Sequence, residues 1–257
     1  MKRFSLALTA AVFLIILVVL FWLILYPPFP ALVSSLASSE IRFAIVLSLV
    51  TSTISTAICV AIAIPVAYAL ARYEFPFKKI ISLFLTIPLA LPPLVAGIAL
   101  LLFFGASSWG KALEAMGFEV VFTPLGIIVA EVFVNLPYLI RILKSSYTAV
   151  NPRYENVAKT LGCSETAAFM QVTLPLIRPG IIAGTSITWA KSMGEFGAVL
   201  MLAGATMMRT ETLPIALYLN ISTGDLDLAV AASVILILIS LSALFVVEHF
   251  SDESHVF

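Results

Sequence analysis

Four stretches of the chain, 4–26, 43–71, 80–110 and 228–247, contain no Asp, Glu, Lys or Arg. A helix needs roughly 20 residues to cross a hydrocarbon core of about 30 Å, so each is long enough to span a membrane. Two more apolar runs, 120–140 and 179–208, are interrupted only by Glu131 and by Lys191 and Glu195. The expectation is an all-α, polytopic integral membrane protein with six transmembrane helices. Composition agrees: 61% of the 257 residues are hydrophobic and 11% charged, against about 25% charged in soluble domains. Fourteen basic residues balance 14 acidic ones, which leaves no cationic surplus for nucleic acid.

Basic residues in short loops stay on the cytoplasmic side. In a six-span layout Lys2, Arg3, Arg72, Lys78, Lys79, Arg141, Lys144, Arg153, Lys159 and Arg178 share one side, while Arg42, Lys111 and Arg209 take the other. Both termini are therefore expected in the cytoplasm, in a multi-pass protein of the cell membrane. Run 4–26, preceded by Lys2 and Arg3 and followed by Pro30-Ala31, could alternatively be a cleaved signal peptide, but it exceeds the usual apolar core of about 7–15 residues and is expected to be retained. Pro65, Pro88, Pro92, Pro93, Pro124 and Pro137 fall within or beside the spans and predict kinks, suited to a bundle around a polar path or simply tolerated by membrane helices.

Other chemistry is sparse. Cys59 and Cys163 read as free thiols. Residues 105–112 approach a phosphate-binding loop, but Ala112 stands where a hydroxyl should hold magnesium, and the segment follows an apolar span rather than a strand. No nucleotide site, cofactor or metal is expected on this chain. The histidines, His249 and His255, sit in the tail without a ligand or catalytic pattern, which argues against a membrane-embedded enzyme.

The one long cytoplasmic connection, 145–178, holds a helix–glycine–helix pattern. Asn151-Pro152 reads as a helix start and Gly162 as its left-handed stop. Tyr154, Val157, Ala158 and Leu161 fall at i, i+3, i+4 and i+7, an apolar stripe. A second helix is expected from Ser164 to just before Leu174-Pro175. The stripe could pack on the chain's own spans or enter a groove on a partner.

The run Glu155-Asn156-Val157-Ala158-Lys159-Thr160-Leu161-Gly162, continuing to Val172-Thr173-Leu174-Pro175, resembles the Glu-Ala-Ala, Gly, Ile-x-Leu-Pro loop of ABC-importer permease subunits. Ala158, Gly162, Leu174 and Pro175 match; Val172 replaces Ile, Asn156 stands in the Glu position and Val157 in that of the first Ala. A second block, Trp189-Ala190-Lys191-Ser192-Met193-Gly194-Glu195-Phe196-Gly197-Ala198 followed by Thr212-Leu213-Pro214, resembles permeases for molybdate and tungstate, with sulfate permeases next.

The resemblance implies one permease domain over 1–257 whose loop is a coupling helix in a cleft of an ATPase subunit. The contact would involve Tyr154, Glu155, Asn156, Val157, Ala158, Leu161 and Gly162. It further implies a homodimer joined to two ATPase copies and fed by an extracytoplasmic binding protein. Lys191 and Glu195, four apart, could form an ion pair, a gate or a contact between permease copies. Glu131 is expected to face the bundle interior, where the scarcity of cations implies a weakly polar pore. The rival expectation is a self-sufficient secondary transporter, although paired broken helices in inverted repeats are not evident.

Overall fold

The structure, a computed structural model, describes residues 1–25 and 34–252. Pro30-Ala31 and His255 lie outside them, and the side chain of His249 is not described. All regular structure among the described residues is helical: α1 Lys2–Leu25, α2 Ser39–Arg72, α3 Lys78–Ala90, α4 Pro93–Ala106, α5 Ser108–Ala115 and α6 Pro124–Ala149. There follow α7 Arg153–Thr160, α8 Glu165–Ala168, α9 Arg178–Met193, α10 Gly197–Ala203, α11 Leu213–Thr223 and α12 Leu226–Asp252.

The pair α2 and α6 forms the spine. Along α2 the buried positions include Ala44, Ser48, Ser52, Ser55, Cys59, Ala63 and Ala67, a row of small side chains at three- to four-residue spacing. In a membrane, association rests on close packing rather than on hydrophobic burial, and small residues let backbones approach. Leu139, Ile140, Leu143 and Tyr147 of α6 fill the facing positions, with Ile177 closing the cluster at one end. At the other end α10 packs on α4 so tightly that a Cβ on Gly97 would lie 2.7 Å from that of Met201, and one on Gly197 2.9 Å from that of Pro93. By contrast, α1 buries no residue in its own chain.

Two of the expected spans are broken. Three helices, α1, α2 and α6, are each long and apolar enough to cross a membrane. Run 80–110 is split into α3 and α4, bent by 111°, because Pro92 and Pro93 together remove two donors and force the residue before them out of helical geometry. Run 179–208 ends its first helix at Met193 and resumes at Gly197. A single proline does less: α2 continues unbroken through Pro65 and α6 through Pro137.

The expected helix–glycine–helix is present, shifted in detail. Helix α6 extends to Ala149, so residues 145–149 belong to it rather than to a free loop. The second helix opens at Ser164 as expected, but it does not stop before Leu174. It passes through a π-helical stretch, Phe169–Thr173, and a further turn, Leu174–Leu176, before bending by 68° into α9.

Candidate functional site

Helix α7 stands at the end of the bundle where α2 and α6 finish. Asn151 Oδ1 accepts from the Arg153 amide at 3.0 Å, closing its first turn. At its far end the Cys163 amide donates to the Ala158 carbonyl and Gly162 to Lys159, each at 3.1 Å. This paired closure needs a left-handed residue, supplied by Gly162 at φ 95°. Ser164 Oγ then accepts from the Ala167 amide at 3.2 Å and starts α8.

The two faces of α7 differ in chemistry. Glu155 and Ala158 turn inward, 5% and 8% exposed, while Tyr154, Val157 and Leu161 turn outward at 58%, 57% and 80%. Asn156 and Gly162 are exposed with them. The stripe expected from periodicity is thus divided, with Ala158 on the opposite side from the larger apolar residues.

Glu155 is the inner anchor. Arg72 Nε, on the last turn of α2, reaches its Oε1 at 2.9 Å, and Tyr68 donates its hydroxyl to Oε2 at 2.9 Å. Arg72 Nη2 also holds the Val150 carbonyl at 2.9 Å, so one guanidinium joins α2, the end of α6 and α7. Around it the Tyr68 ring meets Tyr147 at 5.4 Å and Phe169 at 4.9 Å, both edge-on. Burial alone would raise the Glu155 carboxyl, but the hydrogen bonds from Tyr68 and Arg72, together with the Arg72 charge, hold it below the ordinary carboxylate value.

The polar interior lies deeper. Ser55 donates to Glu131 Oε2 at 2.6 Å and Thr51 to Oε1 at 3.2 Å, so this buried carboxyl is bonded across α2 and α6. Asn135 Nδ2 donates to Ser192 at 3.0 Å, joining α6 to α9. Lys191 and Glu195 do not share a helix face, because α9 ends between them. Instead Lys191 Nζ lies 5.3 Å over the Tyr138 ring, and Glu195 Oε1 accepts from the Ala198 amide at 3.0 Å, capping α10. Glu131, Lys191 and Glu195 are thus each held by different partners, and no ion pair joins Lys191 to Glu195 among the described residues.

A groove of about 740 Å³ runs between α2, α9 and α12, with Thr53, Thr56, Thr185, Ser186 and Trp189 among its walls. Trp189 donates to Thr53 at 3.1 Å. Among the described residues, the buried hydroxyls of Thr56 and Thr185 have no hydrogen-bond partner. No group of three or more His, Cys, Asp or Glu among the described residues could hold a metal, and both cysteines are free thiols. Sequence reasoning missed Tyr68, Arg72, Thr51 and Ser55. Only the last five residues of α2 carried a hint, with Tyr68 and Arg72 one turn apart at the end of an apolar span.

Residues 62–253, which include α6, α7 and the α9–α10 break, match the model of the family described as binding-protein-dependent transport system inner membrane component. The chain belongs to that family. It is therefore a multi-pass protein of the cell membrane. Over 155 residues it is 43% identical to the molybdenum transport system permease protein ModB of Mycobacterium tuberculosis, covering 60% of this chain and 58% of that one. It is 33% identical over 179 residues to the sulfate transport system permease protein CysT of Salmonella typhimurium, covering 69% and 65%. The matches thus span less than two thirds of either relative. Among solved structures, a chain of a bacterial alginate ABC transporter in complex with a pentasaccharide-bound periplasmic protein superposes with a TM-score of 0.76 over 97% of this chain and 93% of that one, at 17% identity. The shared fold accounts for that likeness.

Proposed function

We propose that the chain is the permease subunit of an ATP-driven importer for tetrahedral oxyanions, molybdate or tungstate before sulfate. In this reading 1–257 is one transmembrane domain of six spans with both termini cytoplasmic. Two copies form a homodimer, two ATPase subunits supply the energy, and an extracytoplasmic binding protein delivers the anion. The chain itself hydrolyses nothing.

The observation that carries the reading is the two-faced helix α7: fixed to α2 by Glu155 and Arg72 on one side and bare on the other. A partner gripping Tyr154, Val157 and Leu161 would move α2 and the π-helical stretch with it, which is what a mechanically driven gate requires. Preference for molybdate rests on the higher identity to ModB; sulfate remains the second reading because of the similarity to CysT.

The test is reconstitution in proteoliposomes with candidate ATPase and binding protein. ATP-dependent uptake of molybdate in excess of sulfate is expected, and none by the permease alone. Uphill oxyanion transport by the lone chain would overturn the reading, and uptake of sulfate alone would transfer it to the second substrate.

A further inference from the structure

We propose that the cavity at the turn between α2 and α3 binds the phosphate-bearing headgroup of an anionic phospholipid from the inner leaflet. The proposal rests on the membrane orientation given above, but not on the transported substrate. The cavity measures about 740 Å³, and its walls include Lys78, Lys79, Ser82 and Lys144 together with Phe77. Lys78 is neutralised by Glu74, Nζ to Oε1 at 2.7 Å. Among the described residues Lys79 and Lys144 form no ion pair. Lys144 Nζ reaches Ser82 Oγ at 3.4 Å, so the two free ammonium groups come from different helices and converge on one pocket. Helix α3 opens beside it with no side-chain cap, which adds the positive end of its dipole to the same space.

What lies next to the pocket decides between a lipid and a free anion. Helix α3 buries none of its residues, and Ile80, Leu83, Phe84 and Ile87 are exposed along it. A cationic pocket adjoining an apolar wall matches a phosphodiester with its acyl chains, whereas inorganic phosphate would use only half of the surface. Basic pockets between helices on the cytoplasmic side are suited to anionic headgroups, and Lys79 and Lys144 mark the level where the bundle leaves the apolar layer.

The test is native mass spectrometry of the full-length chain in neutral detergent, titrated with phosphatidylglycerol or with phosphatidylcholine of identical acyl chains. Retention of phosphatidylglycerol roughly tenfold above phosphatidylcholine is expected, falling to parity in the Lys79→Gln/Lys144→Gln variant. An Arg42→Gln/Lys111→Gln control should leave it unchanged. Equal retention of both lipids, or an unchanged preference in the lysine variant, would overturn the proposal. Displacement of phosphatidylglycerol by millimolar inorganic phosphate would assign the pocket to a free anion instead. Loss of ATPase co-purification in the lysine variant with lipid preference intact would show a protein contact there, and would equally overturn it. None of these outcomes depends on which oxyanion is carried.

Discussion

At the scale of single residues, Glu155 shows how one side chain can set the direction of a whole helix. Its carboxylate accepts from Arg72 and Tyr68 in a pocket sealed by aromatic rings. Removing one member of such a buried pair leaves the other charge uncompensated, at a cost of about 3 kcal/mol. Arg72→Met should therefore lower the thermal midpoint in detergent by several degrees, and pairing it with Glu155→Met should restore part of the loss. The linkage has a definite sign. A carboxyl held below its ordinary value of 4.5 contributes stability that is complete above that value and is lost as pH falls through the lower folded value. The acid limb of the unfolding profile should flatten in Glu155→Gln. An unchanged acid limb would show that the Glu155 charge is not held by this network.

At the scale of elements, α7 and its glycine stop make separable demands. A Cβ on Gly162 would meet nothing within 4 Å, but its φ is 95°. Gly162→Ala should thus cost about 1 kcal/mol through backbone strain alone, and Gly162→Pro more, because proline cannot adopt a positive φ. Leu161→Asp and Val157→Asp change only the outward face. They should abolish ATPase co-purification while shifting the thermal midpoint by less than about 2 °C, as surface changes do. Ala158→Glu, placed inward, should destabilise the chain itself. The element pattern was legible because Asn151, Gly162 and Ser164 are local signals that act through their own backbone bonds. Which face of α7 looks outward was not, since that depends on Arg72, more than 80 residues away in sequence. Proline is the opposite case: the tandem Pro92-Pro93 stands in the sequence and separates α3 from α4, whereas α2 continues through the single Pro65.

At the scale of the whole molecule, stability is concentrated in the spine of α2, α6 and α9, whereas α1 places no fully buried residue in its own chain. Leu139, fully buried, should cost about 2–5 kcal/mol when replaced by Ala. Leu17→Ala on α1 should cost under about 0.5 kcal/mol in the isolated subunit. Detergent-resistance measurements on the two variants check the contrast, and equal losses would show that α1 contributes as much to the bundle as the spine does. The apolar runs that named the spans follow from composition alone, so they were visible at once. The polar interior was not, because Ser55, Thr51 and Ser192 are unremarkable residues until packing brings them to Glu131 and Asn135.

The division of α7 into an anchored side and a bare side has an evolutionary corollary. Substitutions at Tyr154, Val157 or Leu161 rewrite the address presented to a motor protein without disturbing the clasp beneath. A lineage could accordingly exchange one engine for another by editing about two turns of helix, leaving the conduit above it untouched.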